Sequence, residues 1–187
     1  MKKIIIPLVI ILAVAFGVFY FSKSAAAPNV QTDVLGSFST WKIYDVKSKV
    51  GLTLKYPADW KVDDAFPNYL SLVAPGGGGF STYRVKAANK KQTLDQWLKA
   101  QDKQKRTAMG GQYNDYVISS KKMKIAKLAA IRRLEHADAA GFDILQTYLK
   151  NADYFYSFGL SIGPSGFYTP DDQKVYDKIL STVQFTK

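Results

Sequence analysis

Apolar and polar residues alternate with period two along most of this chain, and with period 3.6 in two places. In Gly51–Pro57 (GLTLKYP), Leu52, Leu54 and Tyr56 share one side of an extended strand while Thr53 and Lys55 share the other. Pro57 cannot donate to a ladder and ends the strand, and Ala58-Asp59-Trp60 turns the chain into Lys61-Val62. Trp41–Tyr44 starts the first ordered segment, and the same reading predicts strands at Tyr69–Ala74, Phe80–Ala87, Tyr116–Lys124, Ala129–His136, Phe142–Lys150 and Tyr154–Ile162, with a short last strand around Val183 and Phe185. Thr93 with Gln96 forms a capping-box pattern that opens a helix with Leu94, Trp97 and Leu98 on one face. Gly110-Gly111 ends that unit. Thr169-Pro170-Asp171-Asp172 starts a second helix, whose buried stripe is Val175, Tyr176, Ile179 and Leu180. Many antiparallel strands with one helix in the middle and one near the end predict an α+β domain, a central antiparallel sheet sandwiched by helices.

The amino-terminal pattern is of another kind. Met1-Lys2-Lys3 precedes an uncharged run of 18 residues, Ile4–Phe21, just long enough to span a bilayer. Two lysines before it and one, Lys23, after it place the N-terminus inside. The expected organisation is a membrane anchor or signal segment over residues 1–23, a small-residue tether over 24–40, and a globular domain over 41–187 held outside the cytoplasmic membrane. Ser24-Ala25-Ala26-Ala27 offers an alternative, secretion after cleavage near Ala26.

Composition narrows the chemistry. The 187 residues include no Cys, which excludes disulfides, thiolate zinc sites and cysteine nucleophiles, and one His, which disfavours a multi-histidine metal site. The formal charge of +11 resides in one segment. Arg84–Arg133 holds 14 basic against 3 acidic residues, and the rest of the chain holds 12 of each. Clustering of this kind steers anionic partners.

Two short stretches carry a family resemblance. Gly51–Trp60 (GLTLKYPADW) is similar to the opening strand and Tyr-Pro-x-x-Trp turn of PsbP-like domains, and Tyr176–Phe185 (YDKILSTVQF) resembles their closing helix and strand. The resemblance implies a PsbP-like α/β/α sandwich over roughly residues 38–187, in a family of noncatalytic accessory subunits whose photosynthetic members dock on photosystem II. Similar bacterial proteins carry an N-terminal membrane segment. Nothing in the chain indicates photosynthesis, and the central basic stretch matches no motif of the family.

Candidate sites follow from the residues. Glu135-His136 with Asp138 and Asp143 is the one acid–histidine cluster, but on a strand Glu135 and His136 point to opposite faces, and the spacing fits no standard ligand pattern. Pro75–Gly79 lacks the helix and Lys-Ser/Thr of a phosphate loop and reads as a hairpin connection. Asp171-Asp172 serve helix capping, and Asp63-Asp64 have no partner base nearby. The remaining candidate is a contact surface built from Arg84, Lys86, Lys90, Lys91, Lys121, Lys122, Lys124, Lys127, Arg132 and Arg133. Tyr83, Tyr113 and Tyr116 lie among them, but no nucleic-acid-binding motif is present, so anionic polymers, lipid headgroups or an acidic protein rank ahead of nucleic acid. No metal or cofactor is expected. The function expected is that of an extracytoplasmic, noncatalytic binding or accessory module. An envelope hydrolase gathering Asp63, Asp64, Glu135 or His136 in a pocket, or a structural subunit of an envelope complex, are the alternatives.

Overall fold

A computed structural model describes residues 40–45, 47–75, 77–108, 116–137, 142–161 and 170–186. The expected membrane segment, the tether up to residue 39, the Gly110-Gly111 break, Ile162 and the Thr169 cap lie outside the described residues, as do Tyr113 and Asp138.

The elements run β1 (Trp41–Tyr44), α1 (Lys47–Val50), β2 (Leu52–Pro57), β3 (Lys61–Asp63), β4 (Tyr69–Val73), β5 (Gly79–Lys86), α2 (Leu94–Ala108), β6 (Tyr116–Ile125), β7 (Leu128–Ala137), β8 (Phe142–Asn151), β9 (Tyr154–Ser161), α3 (Pro170–Ser181) and β10 (Gln184–Phe185). The expected α+β class is present, with one departure. The strands form two sheets: a seven-stranded antiparallel sheet in the order β3-β4-β5-β9-β8-β7-β6, and a three-stranded one, β1-β2-β10. The alternating strand β2 therefore leaves the main sheet. Pro57 closes it, and the Trp60 amide donates back to the Pro57 carbonyl at 3.1 Å, so the chain turns away before β3 begins.

Strand alternation decides which helix covers which face. Adjacent residues of a strand point to opposite sides. Tyr148 and Phe155 meet Trp97 of α2, with ring centroids 5.9 and 4.8 Å apart. Thr147, next to Tyr148, and its cross-strand partner Phe158 belong to the other side, where the buried Tyr176 of α3 donates to the Phe158 carbonyl at 2.8 Å and sits 2.8 Å from the Thr147 hydroxyl. A hydroxyl has one proton, so with the carbonyl as its acceptor the Thr147 hydroxyl supplies the donor of the second bond. The larger core lies on the α3 side, where Leu52, Leu54, Leu70, Leu72, Phe80, Phe158 and Ile179 pack with the small sheet. The smaller core lies under α2 and is built from Trp97, Leu98, Tyr148 and Phe155.

Helix α2 opens as its sequence predicts. The Thr93 amide donates to Gln96 Oε1 at 2.9 Å and the Gln96 amide to Thr93 Oγ1 at 3.2 Å, a reciprocal capping box. Strands β4 and β5 pair antiparallel as a hairpin, and where they join the Ala74 amide donates to the Gly78 carbonyl at 3.1 Å. A Cβ at Gly79 would lie 2.0 Å from the Leu72 carbonyl oxygen, so glycine is required there.

Candidate anionic-partner surface

The ten candidate residues separate by type. Lys86, Lys90, Lys91, Lys121, Lys122, Lys124 and Lys127 are all exposed, whereas Arg84, Arg132 and Arg133 are drawn into the fold. Arg84 donates from Nε to Asn68 Oδ1 at 2.9 Å and stacks over the Tyr154 ring at 4.8 Å. Arg132 pairs with Asp177 of α3 and lies over the Tyr176 ring. Arg133 pairs with Asp102 of α2 at 2.8 Å and lies over the Tyr148 ring.

Register sorts the lysines by face. Lys122 stands opposite Ile131, which packs into the core under α2, and Lys124 stands opposite Ala129 on the same side. Lys121 stands opposite Arg132 and so faces the α3 side. Lys86 shares the parity of Phe80 and Arg84 and also belongs to that side. Lys90 and Lys91 lie in the connection that leads into α2, and Lys127 lies in the β6–β7 turn. The ends of β5, β9, β8, β7 and β6 nearest these residues are neighbours in the sheet, so Lys90, Lys91, Lys124 and Lys127 gather at one end of it, across four strand spacings or roughly 19 Å.

One further lysine shapes this end. Lys150 donates to the Lys90 carbonyl at 2.6 Å and the Gln92 carbonyl at 2.8 Å, and it lies over the Phe155 ring. It fixes the loop that carries Lys90 and Lys91. Within an apolar strand such as FDILQTYLK the sequence marks it as an ordinary solvated charge. Nearby, Lys90 pairs with Asp153 at 3.0 Å.

The two helices differ in charge. Helix α2 carries Lys99, Lys103, Lys105 and Arg106 against Asp95 and Asp102, whereas α3 carries Lys174 and Lys178 against Asp171, Asp172 and Asp177. By sequence α2 is net basic and α3 net acidic, and Lys122 and Lys124 stand on the α2 side of the sheet.

Beneath the C-terminal half of α2 lies a polar cluster that the sequence reading did not assemble. Glu135, the chain's one glutamate, is buried; it accepts from Lys105 Nζ at 2.6 Å and from the Tyr148 hydroxyl at 2.9 Å. Beside it the Ser157 hydroxyl donates to Gln146 Oε1 at 2.8 Å, and the Tyr83 side chain bonds Ser157. Burial first, and then the Glu135 charge, pushes the Tyr148 phenol well above its ordinary pKa. Burial also raises Tyr83, with Ser157 and Lys105 partly opposing it. Lys105–Glu135 and Asp102–Arg133 together tie the last turns of α2 to β7. The arrangement holds the basic helix on the sheet. Its signal in the sequence was a single acid inside the apolar alternation of LAAIRRLEHA.

The other candidates are placed apart. Glu135 and His136 do face opposite sides, and His136 Nδ1 meets Asp143 Oδ1 across the strand pair at 2.8 Å. Asp64 is engaged by Lys49 at 3.0 Å and by the Tyr44 hydroxyl, while Asp63 accepts from the Ala65 amide. Asp63 ends β3, five strand spacings from β7 or roughly 24 Å, so no pocket gathers these acids with Glu135 and His136. Among the described residues no group of three or more His, Cys, Asp or Glu is placed to hold a metal ion, and no helix is long and apolar enough to cross a membrane. Tyr83 lies in the polar cluster under α2, and the backbone of Tyr116 pairs with that of His136.

No family model matches the chain, and no curated protein matches it. Solved structures do. The solution structure of cyanobacterial PsbP from Synechocystis superposes with a TM-score of 0.57 at 14% identity, over 87% of this chain and 98% of that one. The yeast Ran-binding protein Mog1p superposes with a TM-score of 0.49 at 9% identity, over 78% of this chain and 95% of that one. The domain thus has a PsbP-like fold, and at 14% identity the likeness to PsbP is one of fold.

Proposed function

We propose that this chain is a membrane-tethered, extracytoplasmic and noncatalytic binding module that engages an anionic partner through the α2 side of its PsbP-like domain. The observation that carries the reading is the asymmetry between the two sides. The exposed Lys122 and Lys124 of β6 stand on the side of the basic helix and the exposed Lys91 lies in the connection leading into it, while the net-acidic helix covers the opposite side. The uncharged run Ile4–Phe21 behind Lys2 and Lys3 supports the tether and its orientation. Anionic polymers, lipid headgroups and acidic proteins present the charge that such a side attracts.

The test uses the detergent-solubilised full chain and dextran sulfate, a polyanion recognised by charge alone. Replacing Lys91, Lys122 and Lys124 with Ala removes three exposed contacts of about 0.5 kcal/mol each, hence roughly tenfold in affinity at low salt. The matched variant lacking Lys42, Lys55 and Lys61, which are exposed outside the basic segment, retains its affinity. Equal losses in the two variants would overturn the assignment of the surface.

A further inference from the structure

Strand β6 is the feature that the anionic-partner reading leaves unexplained. It runs ten residues, and among the described residues it pairs with β7 alone, at the edge of the seven-stranded sheet. Residues 117–122 and 124 are all exposed, so no described element covers this edge. Sheet edges of this length are usually shortened, covered or twisted away, because they offer a row of ladder groups to any extended chain. The opposite edge, β3, is three residues long. Along β6 the ladder shifts between Val117 and Ser119, leaving Ser119–Ile125 as a regular seven-residue stretch.

The side chains of that stretch say what suits it. On the α2 side stand Ser120, Lys122 and Lys124; on the other side Ser119, Lys121, Met123 and Ile125, of which Met123 and Ile125 belong to the larger core. From Tyr116 to Lys127 there are four lysines and no acid. Two copies of β6 laid edge to edge would bring six lysines onto one ladder without a carboxylate, and like charges across a strand pair oppose pairing. The same lysines attract a strand that carries carboxylates. Charge on this edge therefore discriminates between partners, repelling a second copy and favouring an acidic chain.

We propose that the β6 edge docks an extended acidic polypeptide segment, which adds to the sheet as an eighth strand. Its alternation places carboxylates opposite Lys122 and Lys124 and apolar side chains beside Met123 and Ile125. Backbone hydrogen bonds supply the docking, and the lysines supply the selection. The proposal rests on the anionic-partner reading and narrows it from charge in general to one backbone geometry.

The experiment pairs the detergent-solubilised full chain with a nine-residue peptide of alternating glutamate and valine. At saturation, amide hydrogen exchange slows in Ser119–Ile125 and not in β3. Two further peptides carry N-methyl groups on alternate residues, in the two possible phases. One phase blocks the amides that face β6 and loses roughly tenfold in affinity, the effect of a few net hydrogen bonds; the other phase binds as the parent does. In the Lys122→Glu, Lys124→Glu double variant the preference reverses toward a peptide of alternating lysine and valine. Equal binding of both methylated peptides, or unchanged exchange in Ser119–Ile125, overturns strand addition. If dextran sulfate still binds in that case, the anionic-partner reading stands without it; if neither binds, both fall. Concentration-dependent dimerisation that protects β6 would likewise overturn the choice of an acidic partner over a second copy.

Discussion

Alkaline pH should destabilise this domain through its tyrosines. Tyr44, Tyr69, Tyr83, Tyr148 and Tyr156 all have phenols raised above the ordinary value of 10, in each case chiefly by burial, and Tyr44 is raised to about 12. Above pH 10 the unfolded chain loses these protons while the fold keeps them. The unfolded state then binds fewer protons than the native one, so stability falls as pH rises. A tyrosine with an unfolded pKa of 10 that stays neutral in the fold removes about 1.4 kcal/mol by pH 11. Tyr148, whose phenol is raised well above 10 by burial and then by the Glu135 charge, removes up to about 1.4 kcal/mol, and the other four act in the same direction. Against a typical stability of about 5–15 kcal/mol such a loss is measurable. The assay is urea unfolding followed by circular dichroism at pH 8, 10, 10.5 and 11, with tyrosinate absorbance recorded alongside. Lysines also titrate in this range, so Tyr148→Phe and Tyr156→Phe isolate the effect. Whatever each change does to stability at pH 8, it should flatten the later fall by up to about 1.4 kcal/mol per pH unit. The reasoning fails if those slopes stay unchanged, or if these tyrosines titrate near pH 10 with the fold intact.

Two turns give predictions of opposite sign. Gly51 has φ of +69°, and a Cβ there would lie 2.2 Å from Arg84 Nη1, so Gly51→Ala should cost about 1–2 kcal/mol and shift the urea midpoint down. The β6–β7 hairpin turns through Ala126 and Lys127, with φ of +48° and +69°, where Asn-Gly is the favoured pair. Replacing both should raise stability by about 0.5–1 kcal/mol in the same assay. A fall there would mean that Ala126 and Lys127 make contacts worth more than the backbone strain they carry.

The contrast between these turns explains what could be read from the sequence. Strand Tyr154–Ser161 was legible because Tyr154, Tyr156, Phe158 and Leu160 line the larger core at every second position, while its other face, although also buried, carries the small Ser157 and Gly159. The capping box at Thr93 was legible because its chemistry is local. Three features were not. The Ala126-Lys127 turn carries none of the usual turn residues. The short helix α1 has too few residues to show a period. The second sheet depends on β10 pairing with β2 from more than 120 residues away, which alternation alone does not encode.

The contact surface was half legible, and the missing half is a matter of side-chain chemistry. A count of charge treats Arg84, Arg132 and Arg133 as equal to the lysines around them. The fold does not. Each of the three guanidinium groups lies over a tyrosine ring, and each also bonds an oxygen of Asn68, Asp177 or Asp102. A planar, weakly hydrated cation can stack and fork at once, and so it enters a partly buried site at low cost; an ammonium keeps its water more strongly. The arginines therefore spend their charge on joining strands to helices and loops. Of the lysines in the same segment, Lys90 and Lys105 pair with Asp153 and Glu135, whereas Lys91, Lys122, Lys124 and Lys127 face solvent. Arginine flanked by aromatic alternation should thus be discounted when a basic segment is read as a binding surface, and in this chain that discount leaves the lysines of the α2 side and of the β6 edge.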